Sequence, residues 1–286
     1  MACRRTWLRR ATDAQRWTDM EPMNDTLVIF DLDGTLCDTF EVDDECFSVV
    51  ASEILDTPLG AGSWEAAPHV SDRGILNWLW LRHRDRLPTA RECDAFIEAF
   101  ALAMSRELDR DARRFKATAG ANQVLNELVA GGCGVAIATG GWSRTARLKL
   151  SAAGLPQDLL LASCDDSQDR VEIFDLARRR YDERAANPCS RTVLVGDGVW
   201  DVRVSGQLGW PFVGIGRAER AARLRDCGAA AIVEDFTDTR MFLQLMQRCE
   251  VPPRHSRHEP APVAACAGLE RAARNFAGVP RLRPKR

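Results

Sequence analysis

Two aspartates separated by one residue are the strongest chemical signal in the sequence. Asp31 and Asp33 lie in the segment DLDGTL, residues 31–36, directly after the apolar run 26–30. Such a run predicts a strand buried on both faces, so both carboxylates would stand at its carboxyl end. Left alone, they would repel each other. A hard divalent cation resolves this conflict, and Mg²⁺ is the expected one. An acidic turn without a ligand is the alternative, because Asp and Gly are ordinary turn residues.

A second carboxylate pair, Asp197 and Asp201, follows another apolar run, 192–196. Taken alone, it would be an aspartate-rich helix start, which is common. If its strand lies beside the first, Asp197 would complete the cation site and Asp201 would support it. Thr139 and Gly140 end a third apolar run, 134–139. A hydroxyl and backbone N–H groups at a strand-to-helix junction suit a phosphate oxygen.

The elements that must position these residues alternate along the chain. Short apolar runs are separated by amphipathic helical stretches, which predicts an α/β fold with a parallel sheet covered by helices on both faces. The apolar runs lie at 26–30, 134–139, 159–163, 192–196, 211–215 and 229–233.

About a hundred residues of mostly helical pattern separate the first two runs, which predicts a second, inserted helical domain. We expect an α/β core over 25–38 and 112–245 and a helical cap over 39–111. Residues 1–24 are expected to be a disordered leader. The proline-rich segment 246–286, which ends in basic residues, is expected to be a mostly disordered tail.

These motifs, in this order, resemble those of the haloacid dehalogenase superfamily. The DLDGTL segment with Asp38 and Thr39 is similar to its first motif, Thr139 to its second, and Asp197 with Asp201 to its fourth. The long helical insert resembles the C1-type cap of phosphoglycolate phosphatase and β-phosphoglucomutase relatives. The resemblance therefore implies a Rossmann-like parallel core that carries an inserted helical cap.

The resemblance also implies a reaction and roles for residues. Asp31 would attack phosphorus and form an aspartyl-phosphate, and Asp33 would act as general acid and then general base. Mg²⁺ would be held by Asp31, the backbone carbonyl of Asp33 and Asp197, with Asp201 in support. Thr139 and Gly140 would bind the phosphoryl oxygens.

The third family motif is where the chain departs, because no lysine stands where the family usually has one. Arg170 is the best-placed cation, with Arg144 and Lys149 as alternatives; equally, Arg170 could be a surface residue paired with Asp166 or Glu172. The cap segments contribute Asp43, His69, Ser71 and Arg73 as residues that could face the site. We take Arg73 as the candidate substrate contact, although a solvated or core position is the more frequent case for each of the four.

The expected activity is Mg²⁺-dependent hydrolysis of a small phosphate monoester. The alternatives are a phosphomutase of the β-phosphoglucomutase kind and a phosphate-binding protein weakened in turnover. A net charge of −2 gives no sign of a nucleic-acid partner. No stretch approaches the roughly 18 apolar residues of a membrane span. Ten scattered cysteines without a CxxC pair favour reduced thiols and a cytoplasmic location.

Overall fold

The computed structural model describes residues 23–60, 64, 67–185 and 188–254. The described strands are β1 (Thr26–Phe30), β2 (Cys37–Asp38), β3 (Lys116–Ala117), β4 (Gly134–Ala138), β5 (Leu160–Ala162), β6 (Arg191–Gly196), β7 (Phe212–Ile215) and β8 (Ala231–Val233). Six of them form one sheet in the order β5-β4-β1-β6-β7-β8, and every neighbouring pair is parallel. This confirms the predicted α/β fold with a parallel sheet.

The first strand lies at the centre of the sheet, between β4 and β6. Phe30 pairs with Ile137 on one side and with Val195 on the other, so the three strands end at the same edge. The chain builds the sheet outward from β1 in one direction and then returns to add β6, β7 and β8 on the other side. Ligands of open α/β sheets bind at the carboxyl edge where the strand order reverses in this way.

Helices cover both faces of this sheet. Alternate residues of β1 explain why: Leu27 and Ile29 belong to one buried cluster, whereas Val28 and Phe30 belong to another. Helices α1 to α3 belong to the insert described below. The helices that follow β3 are α4 (Ala121–Ala130), α5 (Ser143–Ala152), α6 (Arg170–Asp182), α7 (Val199–Leu208), α8 (Ala218–Asp226) and α9 (Thr239–Arg248).

The chain between β2 and β3 is the helical insert, which contains α1 (Phe40–Leu55), α2 (Asp72–Arg84) and α3 (Ala90–Arg110), followed by a 3₁₀ turn at Ala112–Arg114. Aromatic rings fill the space between them. The Phe47 ring centroid lies 5.1, 5.0 and 5.6 Å from those of Trp64, Phe96 and Phe100, and Trp80 meets Phe96 edge-on. The short antiparallel pair β2 and β3 joins the two ends of this insert.

The carboxyl-terminal boundary differs from the prediction that a tail begins at residue 246. Helix α9 continues to Arg248, Met246 is fully buried, and the Phe212 N–H donates to the Glu250 carbonyl at 3.1 Å. An apolar face on α9 and this backbone bond to β7 hold the segment against the sheet. Residues 1–22 and 255–286, which contain most of the predicted leader and tail, lie outside the described residues. Within the described ranges, no helix combines the length and apolar character of a membrane span.

Candidate active site

Three carboxylates meet at the carboxyl edge of β1 and β6. Asp31 follows β1, Asp197 follows β6, and Asp201 lies in the first turn of α7. One carboxylate oxygen from each of the three lies within 4.8 Å of those of the other two. All three side chains are buried, at 4%, 5% and 0% exposure respectively. The sheet order therefore brings Asp31 close to Asp197 and Asp201, which lie more than 160 residues later in the sequence.

A glycine turn makes this approach possible. Gly34 has a φ of +81°, which favours glycine, and its N–H donates to the Cys37 carbonyl at 2.7 Å. A Cβ atom at this position would lie 2.1 Å from Asp197 Oδ2. The hydroxyl of Thr35, in the same turn, lies 3.4 Å from both Asp31 Oδ2 and Asp197 Oδ1. The turn thus fits closely under the carboxylate of the neighbouring strand.

Arg170, the first residue of α6, reaches two of the three carboxylates. Its Nη2 donates to Asp31 Oδ1 at 3.0 Å and to Asp201 Oδ1 at 2.5 Å. The local sequence fixes the start of this helix, because the Asp169 side chain caps it by accepting from the Val171 N–H at 2.8 Å. Arg170 therefore has the position that its proposed role as the site cation requires.

The two surface carboxylates considered as partners of Arg170 contact other residues. Asp166 pairs with Arg180 at 2.6 Å, and Glu172 accepts from the Ser167 hydroxyl at 2.5 Å. The first alternative cation, Arg144, pairs with Glu98 on α3. The second, Lys149, contacts Asp33 rather than Asp31.

Burial raises the pKa of all three carboxyl groups. For Asp31 the negative charge of Asp201 adds to the effect of burial, and for Asp197 the pKa rises to about 7. Burial lowers the pKa of Arg170, but the charges of Asp201 and Asp31 outweigh it and leave that pKa raised. The site thus holds its carboxylates in an environment that disfavours negative charge unless a cation is close.

Arg220, on α8, is a second cation at the site that the sequence did not reveal. Its Nη1 lies 2.9 Å from Asp197 Oδ2. Beside it, a cavity of about 270 Å³ opens between the residues that follow β6 and those of α8, with the rings of Phe40 and Trp200 on its wall. No signal in the sequence marks Arg220, because it follows a strand that carries no motif.

Three buried carboxylates therefore face two guanidinium groups, which leaves negative charge uncompensated. Their ligand atoms are hard oxygens that lie close enough to share one ion. This donor set fits a hard divalent cation such as Mg²⁺.

Asp33, two residues after Asp31, lies outside this group of three carboxylates. Its Oδ1 accepts from the Thr39 hydroxyl at 2.6 Å, and its Oδ2 accepts from Lys149 Nζ at 2.6 Å. The resemblance implies a metal role only for the backbone carbonyl of Asp33, which stays a prediction, and its carboxylate has these other partners. The Asp33 side chain is therefore not among the candidate metal ligands, which is compatible with the acid–base role that the resemblance implies.

Thr139 and Gly140 stand at the end of β4, on the other side of β1. The buried Thr139 hydroxyl accepts from the Gly141 N–H at 3.0 Å. A Cβ atom at Gly140 would lie 2.4 Å from Arg170 Nη1 and 3.1 Å from the Val70 carbonyl oxygen. The structure therefore brings this turn against Arg170 and against the segment that precedes α2.

Arg73, the candidate substrate contact, lies apart from the carboxylate group. Its Nη2 donates to the Asp165 carbonyl at 2.9 Å, and its guanidinium lies over the Trp142 ring, 5.3 Å from the centroid. These contacts hold it at the loop that follows β5. A role for Arg73 in substrate binding stays a prediction.

Comparison with known families agrees with this arrangement. A model of haloacid dehalogenase-like hydrolases matches residues 26–209, which include all three carboxylates and the whole helical insert. The chain belongs to this hydrolase family. Comparison with curated proteins gave no match.

Solved structures of the family share the fold of this chain. A hydrolase from Pseudomonas syringae is 23% identical, with a TM-score of 0.59 over 77% of this chain and 98% of that one. A candidate β-phosphoglucomutase from Bacteroides vulgatus is 18% identical, with a TM-score of 0.58 over 82% and 95%. CbbY from Rhodobacter sphaeroides, in complex with phosphate, is 20% identical, with a TM-score of 0.56 over 74% and 95%. At these identities the structures show a shared fold, and the family model confirms the haloacid dehalogenase family that the motifs resemble.

Proposed function

We propose that this hydrolase is a Mg²⁺-dependent phosphatase that cleaves a small phosphate monoester through an aspartyl-phosphate on Asp31. The observation that carries the proposal is the position of Arg170, which pairs with Asp31 and Asp201 inside the buried carboxylate group. A fixed cation on a nucleophilic carboxylate also offsets the charge of a phosphoryl group bound there.

The reaction would proceed in two displacements. A carboxylate oxygen of Asp31 attacks phosphorus as the bond to the leaving alkoxide breaks, and Asp33 gives that alkoxide its proton. Asp33, now ionised, takes a proton from a water molecule that attacks the phosphorus of the aspartyl-phosphate. The second displacement frees inorganic phosphate and restores both carboxyl groups.

The remaining charge at the site would be offset by residues around the phosphoryl group. Asp31, Asp197 and Asp201 would hold Mg²⁺ together with the Asp33 carbonyl, and the ion would supply positive charge at the phosphoryl oxygens. The Thr139 hydroxyl and the Gly140 N–H would hold a phosphoryl oxygen. The CbbY structure with bound phosphate supports a phosphorylated substrate for this fold. We also propose a cytoplasmic location, in keeping with the absence of disulfide bonds among the described cysteines.

The test is phosphate release by the purified full chain from a panel of alkyl phosphates, sugar phosphates and nucleoside monophosphates. Activity should require Mg²⁺ and vanish with a strong chelator. The Asp31→Asn variant should keep the fold and lose all but a trace of turnover, because it keeps the shape of the side chain and removes the nucleophile. Asp175→Asn, at an exposed ion pair with Arg179, is the matched control and should keep normal turnover.

Four outcomes would contradict the proposal. Substantial activity in Asp31→Asn would show that Asp31 is not the nucleophile. Full activity without metal would exclude the carboxylate-site mechanism. Interconversion of sugar-phosphate isomers without phosphate release would identify a phosphomutase, and phosphate binding without turnover would identify a binding protein.

A further inference from the structure

A fully buried lysine lies next to the proposed acid–base residue. Lys149 is on α5, and its side chain has 0% exposure. Lysine is almost never fully buried unless its ammonium group is paired, because removing that charge from water costs several kcal/mol. The chain has few lysines, and the proposed reaction leaves this one without a role. Its position therefore calls for an explanation.

The partners of Lys149 come from three separate parts of the chain. Its Nζ lies 2.6 Å from Asp33 Oδ2 and 2.6 Å from Asp43 Oδ1. Burial lowers the pKa of Lys149, but the charges of Asp33, Asp43 and Asp72 outweigh it and leave that pKa raised. Asp33 follows β1, Asp43 lies in the first turn of α1, and Asp72 begins α2. One ammonium group thus joins the sheet edge to the first helix of the insert.

These contacts restrict the Asp33 side chain strongly. The Thr39 hydroxyl holds one of its oxygens and Lys149 holds the other, each at 2.6 Å. Thr39 is itself the residue that immediately precedes α1. One restraint on Asp33 therefore comes from the residue before α1, and the other comes from an ammonium group on α5 that also contacts Asp43 of α1.

We propose that Lys149 is a positioning residue for Asp33, and that through Asp43 it makes the placement of the Asp33 carboxylate depend on α1. The inference rests on the proposed function, in which Asp33 transfers the protons. Negative charge develops on Asp33 as its proton passes to the leaving alkoxide, and the ammonium group 2.6 Å away stabilises that charge. Lys149 then acts only on steps in which Asp33 moves a proton.

The choice of leaving group separates this role from a merely structural one. An alkyl phosphate needs a proton on its leaving oxygen, whereas p-nitrophenolate departs as an anion. We would measure formation of the phosphoenzyme in single turnovers, with p-nitrophenyl phosphate and with the alkyl phosphate that the wild-type protein cleaves fastest. General acid catalysis typically contributes about 10²–10⁴-fold.

Lys149→Met should slow phosphoenzyme formation from the alkyl phosphate by about 10²-fold or more, and from p-nitrophenyl phosphate by less than about tenfold. Hydrolysis of the phosphoenzyme should slow equally after either substrate, because Asp33 then acts as the base. Lys116→Met, at an exposed ion pair with Asp38, is the matched control and should leave every step unchanged.

A second variant tests the link to α1 and does not depend on whether Lys149→Met folds. Asp43→Asn keeps the side-chain shape but weakens the ion pair. It should show the same selective loss with the alkyl phosphate, to a smaller degree. In the double variant the loss should not exceed that of Lys149→Met alone, because both changes remove one interaction.

The outcomes distinguish this inference from the proposed function. A wild-type protein that forms no phosphoenzyme would contradict the proposed function itself. An active wild type with an equal loss for both substrates in Lys149→Met, or with no loss, would overturn the positioning role. An Asp43→Asn variant with wild-type rates for both substrates would overturn the link to α1.

Discussion

At the scale of single residues, Arg170 shows how one guanidinium can pair with two buried carboxylates. One nitrogen, Nη2, makes both short contacts to the carboxylates, so the interaction resembles that of a point charge. The planar group also lies against the rings of Phe174 and Trp200, with its Cζ 5.6 and 5.9 Å from their centroids. Lysine could supply the charge but would lose this stacking.

We therefore expect Arg170→Ala to lower kcat/KM by about 10²–10³, the usual cost of one electrostatic contact in a transition state. Arg170→Lys should keep much of the activity. Steady-state kinetics with the best substrate of the panel would measure both. Arg179→Ala, which removes an exposed ion pair on the same helix, is the control and should change kcat/KM little. Near-normal turnover in Arg170→Ala would show that the site works without this cation.

At the scale of elements, the turn after β1 determines how close two strand ends can bring their carboxylates. Gly34 combines a positive φ with a close approach to Asp197. A side chain at this position would therefore strain the backbone and also clash with the Asp197 carboxylate. Gly154 has a similar φ of +67°, and nothing lies within 4 Å of a Cβ atom placed on it. Comparing an alanine substitution at each glycine therefore distinguishes the effect of backbone strain from the effect of displacing Asp197.

Gly34→Ala should therefore reduce turnover by about tenfold or more, because a displaced side chain near the reacting groups weakens a positioned site. Gly154→Ala should keep turnover and lose only about 1–2 kcal/mol of stability from strain. Steady-state rates and denaturant unfolding of both variants would measure these effects. Equal losses of activity would mean that the close contact with Asp197 has no part in the site.

The sequence predicted those elements whose signal is local. The apolar run before Asp31 and the run before Asp197 each predicted a strand, and both strands lie where expected. Helix α1 begins at Phe40, close to the predicted start of the cap at residue 39, and acidic Glu41 and Asp43 are favourable in its first turn.

As with the strands and helices, only the site residues that lie in a local sequence motif could be predicted. Motif spacing located Asp31, Asp197 and Arg170, whose partners follow from the order of parallel strands. The contacts of Lys149 and Arg220 join residues 116 and 23 positions apart without a motif at the basic residue. Only the packing of α5 and α8 reveals these partners, so no pattern in the chain could have assigned them.

At the scale of the whole molecule, the helical insert contacts the sheet through buried polar groups as well as apolar ones. The Asp72 N–H donates to the Gly140 carbonyl at 2.8 Å, and Asp72 Oδ2 accepts from the Trp142 N–H at 3.2 Å. Two bonds from one residue thus join α2 to the loop after β4. Any opening of the insert away from the sheet would have to break both of them.

The same residue should make stability depend on pH. Burial raises the pKa of Asp72 well above its ordinary value; the charges of Asp43 and Asp33 add to this, while Lys149 and the Trp142 N–H oppose it. The folded protein therefore keeps a proton that the unfolded chain has already lost. The stability from this proton is complete below the unfolded pKa and is lost as pH rises through the folded one.

Asp72→Asn cannot ionise and keeps an oxygen for the Trp142 N–H. Its Tm relative to wild type should consequently rise between about pH 4 and about pH 8, where a change of 1 kcal/mol moves Tm by about 2–4 °C. Thermal unfolding with a chelator present would measure this difference, because bound metal would otherwise add its own dependence on pH. Asp94→Asn, at an exposed position on α3, is the control, and its Tm should differ from that of the wild type by the same small amount at both pH values. If the Tm difference between Asp72→Asn and wild type stays constant with pH, Asp72 is ionised in the folded protein, and its carboxylate rather than a carboxylic acid holds α2 to the sheet.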